Sequence, residues 1–175
     1  HRVLANIKRD NISLDDYVAI NQQLKAQGRS TKGELIFGLP GETKASFVRG
    51  LEQMISAGVS SVTCYTLMLL YGTAFKDPAY RAEFKIQGKY RIVPLDFGEY
   101  AGEKVFDTEE VGISTSTMSF DEYLWIRGLS LIIEIMHNNR PFDEFIRYGI
   151  DLGLSRFQLI NQAYDALPEA SEAVR

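Results

Sequence analysis

Gly33-Glu34-Leu35-Ile36-Phe37-Gly38-Leu39-Pro40-Gly41-Glu42-Thr43 decides how the rest of this chain is read, because a short apolar strand breaks there into a glycine-rich turn that opens onto a helix. Gly38 and Gly41 permit positive φ or a close backbone approach, Pro40 stiffens the turn between them, and Thr43 is a good N-cap. Exposed backbone N–H groups then face the positive end of the helix dipole, an arrangement suited to an anion. The same turn also serves as a plain strand-to-helix connection whose glycines satisfy geometry alone. The loop by itself does not separate the two readings, so its neighbours must.

Downstream, Phe47, Val48, Leu51, Met54 and Ile55 recur at helical spacing and Gly58 ends the helix. Val59 to Leu70 follows, β-branched and apolar without a break, which predicts a buried strand with no water-facing side. Strand, helix, strand is a βαβ unit with parallel strands and a right-handed crossover. Ligands in such units sit at the carboxyl ends of the strands. The turn after Phe37 and Tyr71-Gly72-Thr73 both fall at those ends. Upstream, Ser13 with Asp16 forms a capping box for a helix carrying Tyr17, Val18 and Leu24, stopped by Gly28 ahead of a strand over about 32 to 37.

Residues 71 to 118 read as irregular, with prolines and glycines interrupting short strand-like pieces such as Lys89 to Val93 and Glu110 to Ile113. Three helices then close the chain. Ser119 with Glu122 caps an apolar helix reaching about Asn138, Pro141 is placed as the first residue of the next, Ser155 with Gln158 caps the last, and the tail after Pro168 is expected to fray. Two parallel strands do not make a stable sheet alone. Together with an abrupt start inside a helical Val3 to Arg9, this predicts a portion of a larger fold.

Bulk properties remove several function classes. The net charge is −4, with Lys and Arg dispersed among acids, so there is no basic stripe for a phosphate backbone and nucleic acid is not expected as a partner. One cysteine, Cys64, excludes a disulfide framework and fits a reducing compartment. No apolar run approaches the roughly 20 residues that span a bilayer, and the N-terminus lacks a signal-peptide pattern. A cytoplasmic protein with no membrane partner is expected, and the sequon Asn11-Ile12-Ser13 is then a chance match.

Ile36 to Thr43, then Ser46-Phe47, an apolar helix, the Gly58 stop, and Tyr65-Thr66-Leu67 leading to Tyr71-Gly72-Thr73, together closely resemble the radical SAM superfamily. The likeness is to the C-terminal part of that family's partial (β/α)6 TIM-like barrel and covers about residues 3 to 75. Val3 to Arg9, Tyr90 to Pro94, Thr117 to Ser119 and Tyr123 to Arg127 are similar to the branch with an N-terminal cobalamin-binding domain. The resemblance implies an α/β fold in three parts: residues 1–75 as barrel, 76–118 as a substrate-facing segment and 119–175 as a helical extension. It implies an enzyme that cleaves S-adenosylmethionine reductively at a 4Fe–4S cluster to start radical chemistry, with cobalamin as a further cofactor of the full-length protein. Its partners would be a small-molecule substrate and the remaining N-terminal half of the barrel.

By the same resemblance, Ile36 would lie against the adenine ring, and Gly38, Gly41 and Glu42 would shape the turn. Tyr65, Leu67 and Leu69 would give backbone groups and an apolar wall to the adenine edge, and Tyr71 and Thr73 would face substrate. The chain departs from the pattern at Glu34, where glycine is frequent, and at Tyr71, where proline is usual. One cysteine cannot supply the three thiolates of a CxxxCxxC cluster loop, so this chain alone is expected to be inactive.

Other chemistry-bearing residues have plain readings. Cys64 is expected to be a packing residue, His137 to interact with a helix C-terminus, and Glu42 to bond N–H groups at its own helix start. Arg9 and Arg127 are surface or inter-element charges that would meet a carboxylate or phosphate in the full enzyme. His1 and His137 leave no metal triad. Two further function classes stay open: a phosphate-binding barrel enzyme of the aldolase or epimerase type, and a catalytically silent interaction module.

Overall fold

In the computed structural model, which describes residues 2–170, the chain runs α1 (Arg2–Asn6), α2 (Leu14–Ala26), β1 (Lys32–Phe37), α3 (Lys44–Ser56), β2 (Ser61–Thr66), α4 (Pro78–Phe84), β3 (Gln87–Tyr100), β4 (Glu103–Ser114), α5 (Phe120–Ile133), α6 (Asp143–Asp151) and α7 (Arg156–Ala166). The expected βαβ unit is present. β1 and β2 pair in parallel with Ile36 opposite Tyr65, and α3 is the connection. The four N-caps form: Ser119–Glu122 and Ser155–Gln158 are the expected reciprocal boxes, Thr43 makes a further one with Ser46, and Ser13 Oγ accepts from Asp16 N–H without the reciprocal bond of the expected box. Gly58, at φ 79°, ends α3 with Val59 N–H bonded back to Met54 O at 3.2 Å.

One face of the β1–β2 pair carries the main core, where Phe37 and Val62 meet Phe47 and Leu51 of α3, Ile126 and Leu129 of α5 and Ile160 of α7. Each large apolar side chain buried to this degree contributes about 1.5–3 kcal/mol. A second, smaller cluster of Leu67, Leu69 and Ile86 is packed by Ile36, Leu39, Phe75, Tyr80 and Phe84 on the other side. Among the described residues no helix is long and apolar enough to cross a membrane.

Several expectations change. Val59 to Leu70 is not buried throughout, since Tyr65, Met68 and Leu70 are exposed; helices cover only one face of a two-stranded pair, so the other keeps water. Residues 71–118 are not irregular. Asp77 caps α4 with Pro78 in its first turn, and β3 and β4 form one long antiparallel hairpin. Ala101 and Gly102 at its tip, with φ 52° and 85°, are the two consecutive left-handed residues that a tight hairpin turn requires. The short strand-like pieces are the base of this hairpin, which a register shift between Ile92 and Phe97 divides from its tip.

Pro141 lies in the turn before α6, which starts at Asp143, while α5 does reach Asn138 through a π-helical turn, Glu134–Asn138. Leu167–Glu169 form a 3-10 turn; the rest of the tail expected to fray, residues 171–175, and His1 lie outside the described residues. The architecture is mixed α/β, and among the described residues the sheets are two separate pairs with no closed barrel.

Candidate functional site

The glycine turn is held from several sides. Gly38 and Gly41 have φ 83° and 86°, the left-handed region in which a side chain is strained. A Cβ on Gly41 would stand 2.6 Å from Asn6 Nδ2, which donates to Pro40 O at 2.8 Å and so ties α1 to the turn. Glu42 N–H closes the turn on Leu39 O at 2.9 Å, and Thr117 Oγ1 donates to Glu42 O at 2.6 Å from the segment before α5.

Glu42 folds its side chain back under this turn. The carboxyl accepts the backbone N–H groups of Leu39 and Gly38, yet burial outweighs those bonds and pushes its pKa up to about 7. Its Oε2 is buried with no hydrogen-bond partner. The turn's own acid therefore occupies two N–H groups that the sequence reading offered to an external anion. Thr43 and Ser46 take further N–H groups at the start of α3. An anion cradle needs free donors, and here the chain supplies its own acceptor.

Around the strand ends, Ile36, Gly38, Leu67 and Leu69 are brought together. Ile36 is half-buried against the second core cluster, and Leu67 and Leu69 are buried within it, so these leucines present packed side chains rather than an open wall. Leu67 N–H donates to Phe37 O at 3.1 Å and Leu67 O accepts Gly112 N–H at 2.8 Å; Leu69 N–H donates to Glu110 O at 2.8 Å. The base of β4 thus runs along the end of β2. A Cβ on Gly38 would meet Gly112 O and Leu67 Cβ at 4.0 Å, an ordinary contact, so it is the positive φ rather than lack of space that calls for glycine there. Tyr65 is exposed, with its hydroxyl 3.5 Å from Glu34 Oε1.

Tyr71 and Thr73 stand apart from this group. The Tyr71 ring is 85% exposed and lies 4.2 Å from the Lys76 ammonium, while Thr73 Oγ1 donates to Leu70 O at 2.6 Å. Lys76 and Arg81 both hold Glu110, at 2.5 and 3.0 Å. The Lys76 hydrogen bond, foremost, keeps the Glu110 carboxyl below the usual range. Gly112, Thr117 and Asn6 were not legible as site residues, because each acts on the turn from a distant element and no spacing announces it.

His137 differs from its reading. It is buried, Nε2 lies 3.0 Å from Val59 O, and burial pulls its pKa down to about 4. A neutral ring has no charge to offer a helix dipole; its Nε2–H donates to a carbonyl that would otherwise lie unpaired in the core. Cys64 is half-buried in β2 and burial pushes its thiol up to about 11, so it is inert as a nucleophile, in line with a packing role. Among the described residues no group of three His, Cys, Asp or Glu side chains is placed to hold a metal. A separate cleft of about 330 Å³ opens along the outer edge of β2, lined by Cys64, Thr66, Arg91, Arg127, Ser130 and Glu134.

No family model matches the chain. It is 29% identical over 162 residues to the cobalamin-dependent radical SAM methyltransferase TokK of Streptomyces tokunonensis, an alignment covering 89% of this chain and 23% of that protein. It is 27% identical over 175 residues to the 2-(S-pantetheinyl)-carbapenam-3-carboxylate methyltransferase of Streptantibioticus cattleyicolor, covering 95% of this chain and 25% of the relative. The chain spans about a quarter of the length of these two relatives. The resemblance to the radical SAM superfamily is borne out by these relatives.

Proposed function

We propose, from the premise that this chain is a radical SAM superfamily segment, that it forms the adenine side of the S-adenosylmethionine pocket in a cobalamin-dependent methyltransferase. In this reading β1 and β2 are neighbouring strands at the C-terminal side of a partial (β/α)6 barrel. The remaining strands, the cluster cysteines and the cobalamin-binding part belong to the rest of the full-length protein. The reaction is methyl transfer, the activity that both relatives' names print for those proteins, and its acceptor is a small molecule.

The observation that carries the reading is the state of the glycine turn. Glu42 accepts its Gly38 and Leu39 N–H groups and Ile36 sits beside Leu39 and Leu67. Such a turn suits the apolar face of a flat ring better than a phosphate, so the aldolase or epimerase alternative loses its main support. The residues of this chain fit the adenosine end of that cofactor and not the cluster: Cys64 is a single thiol, half-buried and held protonated. When bound to its cluster, the cofactor would supply the radical chemistry. What this chain does is bind and orient. Ile36 and Leu39 present apolar surface, Gly38 keeps side-chain bulk away from the turn, and Glu42, Thr117 and Asn6 hold the turn in one shape before ligand arrives.

Ligand choice tests this. Thermal protection of the purified protein by S-adenosylmethionine and by S-adenosylhomocysteine, with none from millimolar inorganic phosphate, is the expected pattern. Protection by phosphate alone would transfer the turn to the other barrel class, and protection by neither would favour a silent interaction module.

A further inference from the structure

We propose that the cleft along the outer edge of β2 binds an extended, amide-bearing small molecule ending in a carboxylate, its amide pairing with the backbone of Cys64 and Thr66 and its carboxylate held by Arg127. Ser61 and Leu67 donate their N–H groups to Thr31 and Phe37, on the β1 side. By the alternation of a strand, the N–H and C=O groups of Val62, Cys64 and Thr66 then point outward. At Val62 that edge is already taken. Asn138 Oδ1 accepts Val62 N–H at 2.8 Å and its Nδ2 donates to Val62 O at 2.9 Å, so one side-chain amide stands where the peptide of a neighbouring strand would. Arg140 donates to the neighbouring carbonyl, Ser60 O, at 3.0 Å. Beyond them the seal stops, and Cys64 and Thr66 face the cleft. An amide of the ligand continues the pattern that Asn138 begins.

The charges of the cleft favour an anion at one end. Arg91 is neutralised by Glu109 at 2.6 Å, and Glu134 is engaged by Asn138 and Asn139. Arg127 is left with no hydrogen bond or ion pair among the described residues. Asn138 meets Val62 and Ser130 meets Cys64, so the helix runs antiparallel to β2 and Arg127 lies toward Thr66. The ligand's carboxylate belongs at that end, away from Glu134, where the planar guanidinium offers paired donors. A volume of about 330 Å³ is at the small end of ligand sites and matches a molecule of dipeptide size.

Calorimetric titration of the purified protein with N-acetyl-dialanine and with its C-terminal amide tests this without S-adenosylmethionine, cluster or reductant, so its outcome is independent of the function proposed above. The acid is expected to bind about tenfold more tightly than the amide. Arg127→Gln is expected to lose that factor for the acid and nothing for the amide, at an unchanged melting temperature. Bound acid should also slow hydrogen exchange at the Cys64 and Thr66 N–H groups. Equal affinity for acid and amide, an Arg127→Gln variant that binds the acid as wild type does, absence of binding at tens of millimolar, or exchange at Cys64 and Thr66 that the bound acid leaves unslowed would each overturn the proposal.

Discussion

Two titratable side chains withdrawn from water, one buried and one half-buried, set opposite pH dependences. His137 is held neutral, with its pKa lowered to about 4, so the unfolded chain binds a proton more readily than the folded one between about 4 and 6.5. Its contribution is complete above pH 6.5 and is lost as pH falls toward 4, by up to about 3 kcal/mol. Glu42 works the other way, because its folded pKa is raised. Its contribution is complete below the ordinary value of 4.5 and is lost as pH rises through about 7. Urea unfolding of Glu42→Gln across pH 5 to 8 should show the variant gaining on wild type by up to about 3 kcal/mol as pH rises; a constant difference would mean that Glu42 titrates normally. His137→Gln should flatten the acid limb of the stability curve below pH 6.5, and an unchanged limb would contradict the buried neutral ring. The capping residues were readable because each acts within four positions of itself. Glu42 was half-readable: its structural role was expected, but its grip on Gly38 and Leu39 depends on a fold-back that no spacing reports. His137 misled, since a basic side chain near a helix end looks alike whether the end is wet or packed on Val59.

The elements around the strand pair show where periodicity works and where it stops. α3 and the β1–β2 pairing follow from apolar spacing and glycine stops, which are local signals. α4 was missed although Asp77-Pro78 is a cap followed by a first-turn proline, because the surrounding prolines and glycines masked seven helical residues. β3 and β4 were seen only in fragments, since their tip halves are exposed on both faces and lack alternation. At the edge of β2, Asn138 replaces a missing strand with one side chain. Asn138→Ala should cost about 1–3 kcal/mol in chemical denaturation by leaving Val62 N–H and C=O unpaired. A loss under 0.5 kcal/mol, the scale of an ordinary surface change, would show that water serves that edge equally well. Gly41→Ala meets both a positive φ and Asn6, so it should destabilise by about 1–2 kcal/mol and loosen α1; a neutral effect would mean the turn relaxes.

On the scale of the whole molecule, a helix-covered parallel pair and an apolar hairpin arm behave differently. Leu95, Phe97 and Phe106 are 92%, 74% and 57% exposed on the arm, whereas Leu51, Ile126 and Leu129 are 0% exposed in the core. Limited proteolysis should therefore cut first between residues 92 and 107 and leave the core elements joined; first cuts within α3 or α5 would contradict that division. The mixed α/β class was legible because the signals of the βαβ unit are local, whereas the long hairpin was not, because its exposed tip halves carry no alternation. Ile36 and the glycine turn are proposed above as the adenine side of a cofactor pocket. The most direct test of that role is the affinity of the reconstituted full-length protein for S-adenosylmethionine when Ile36 is replaced by Ala and by Asp, with melting temperature as the check on folding. A weakening of about tenfold is expected for Ala, from lost apolar contact, and more for Asp. Wild-type affinity in a folded Ile36→Asp protein would contradict that role.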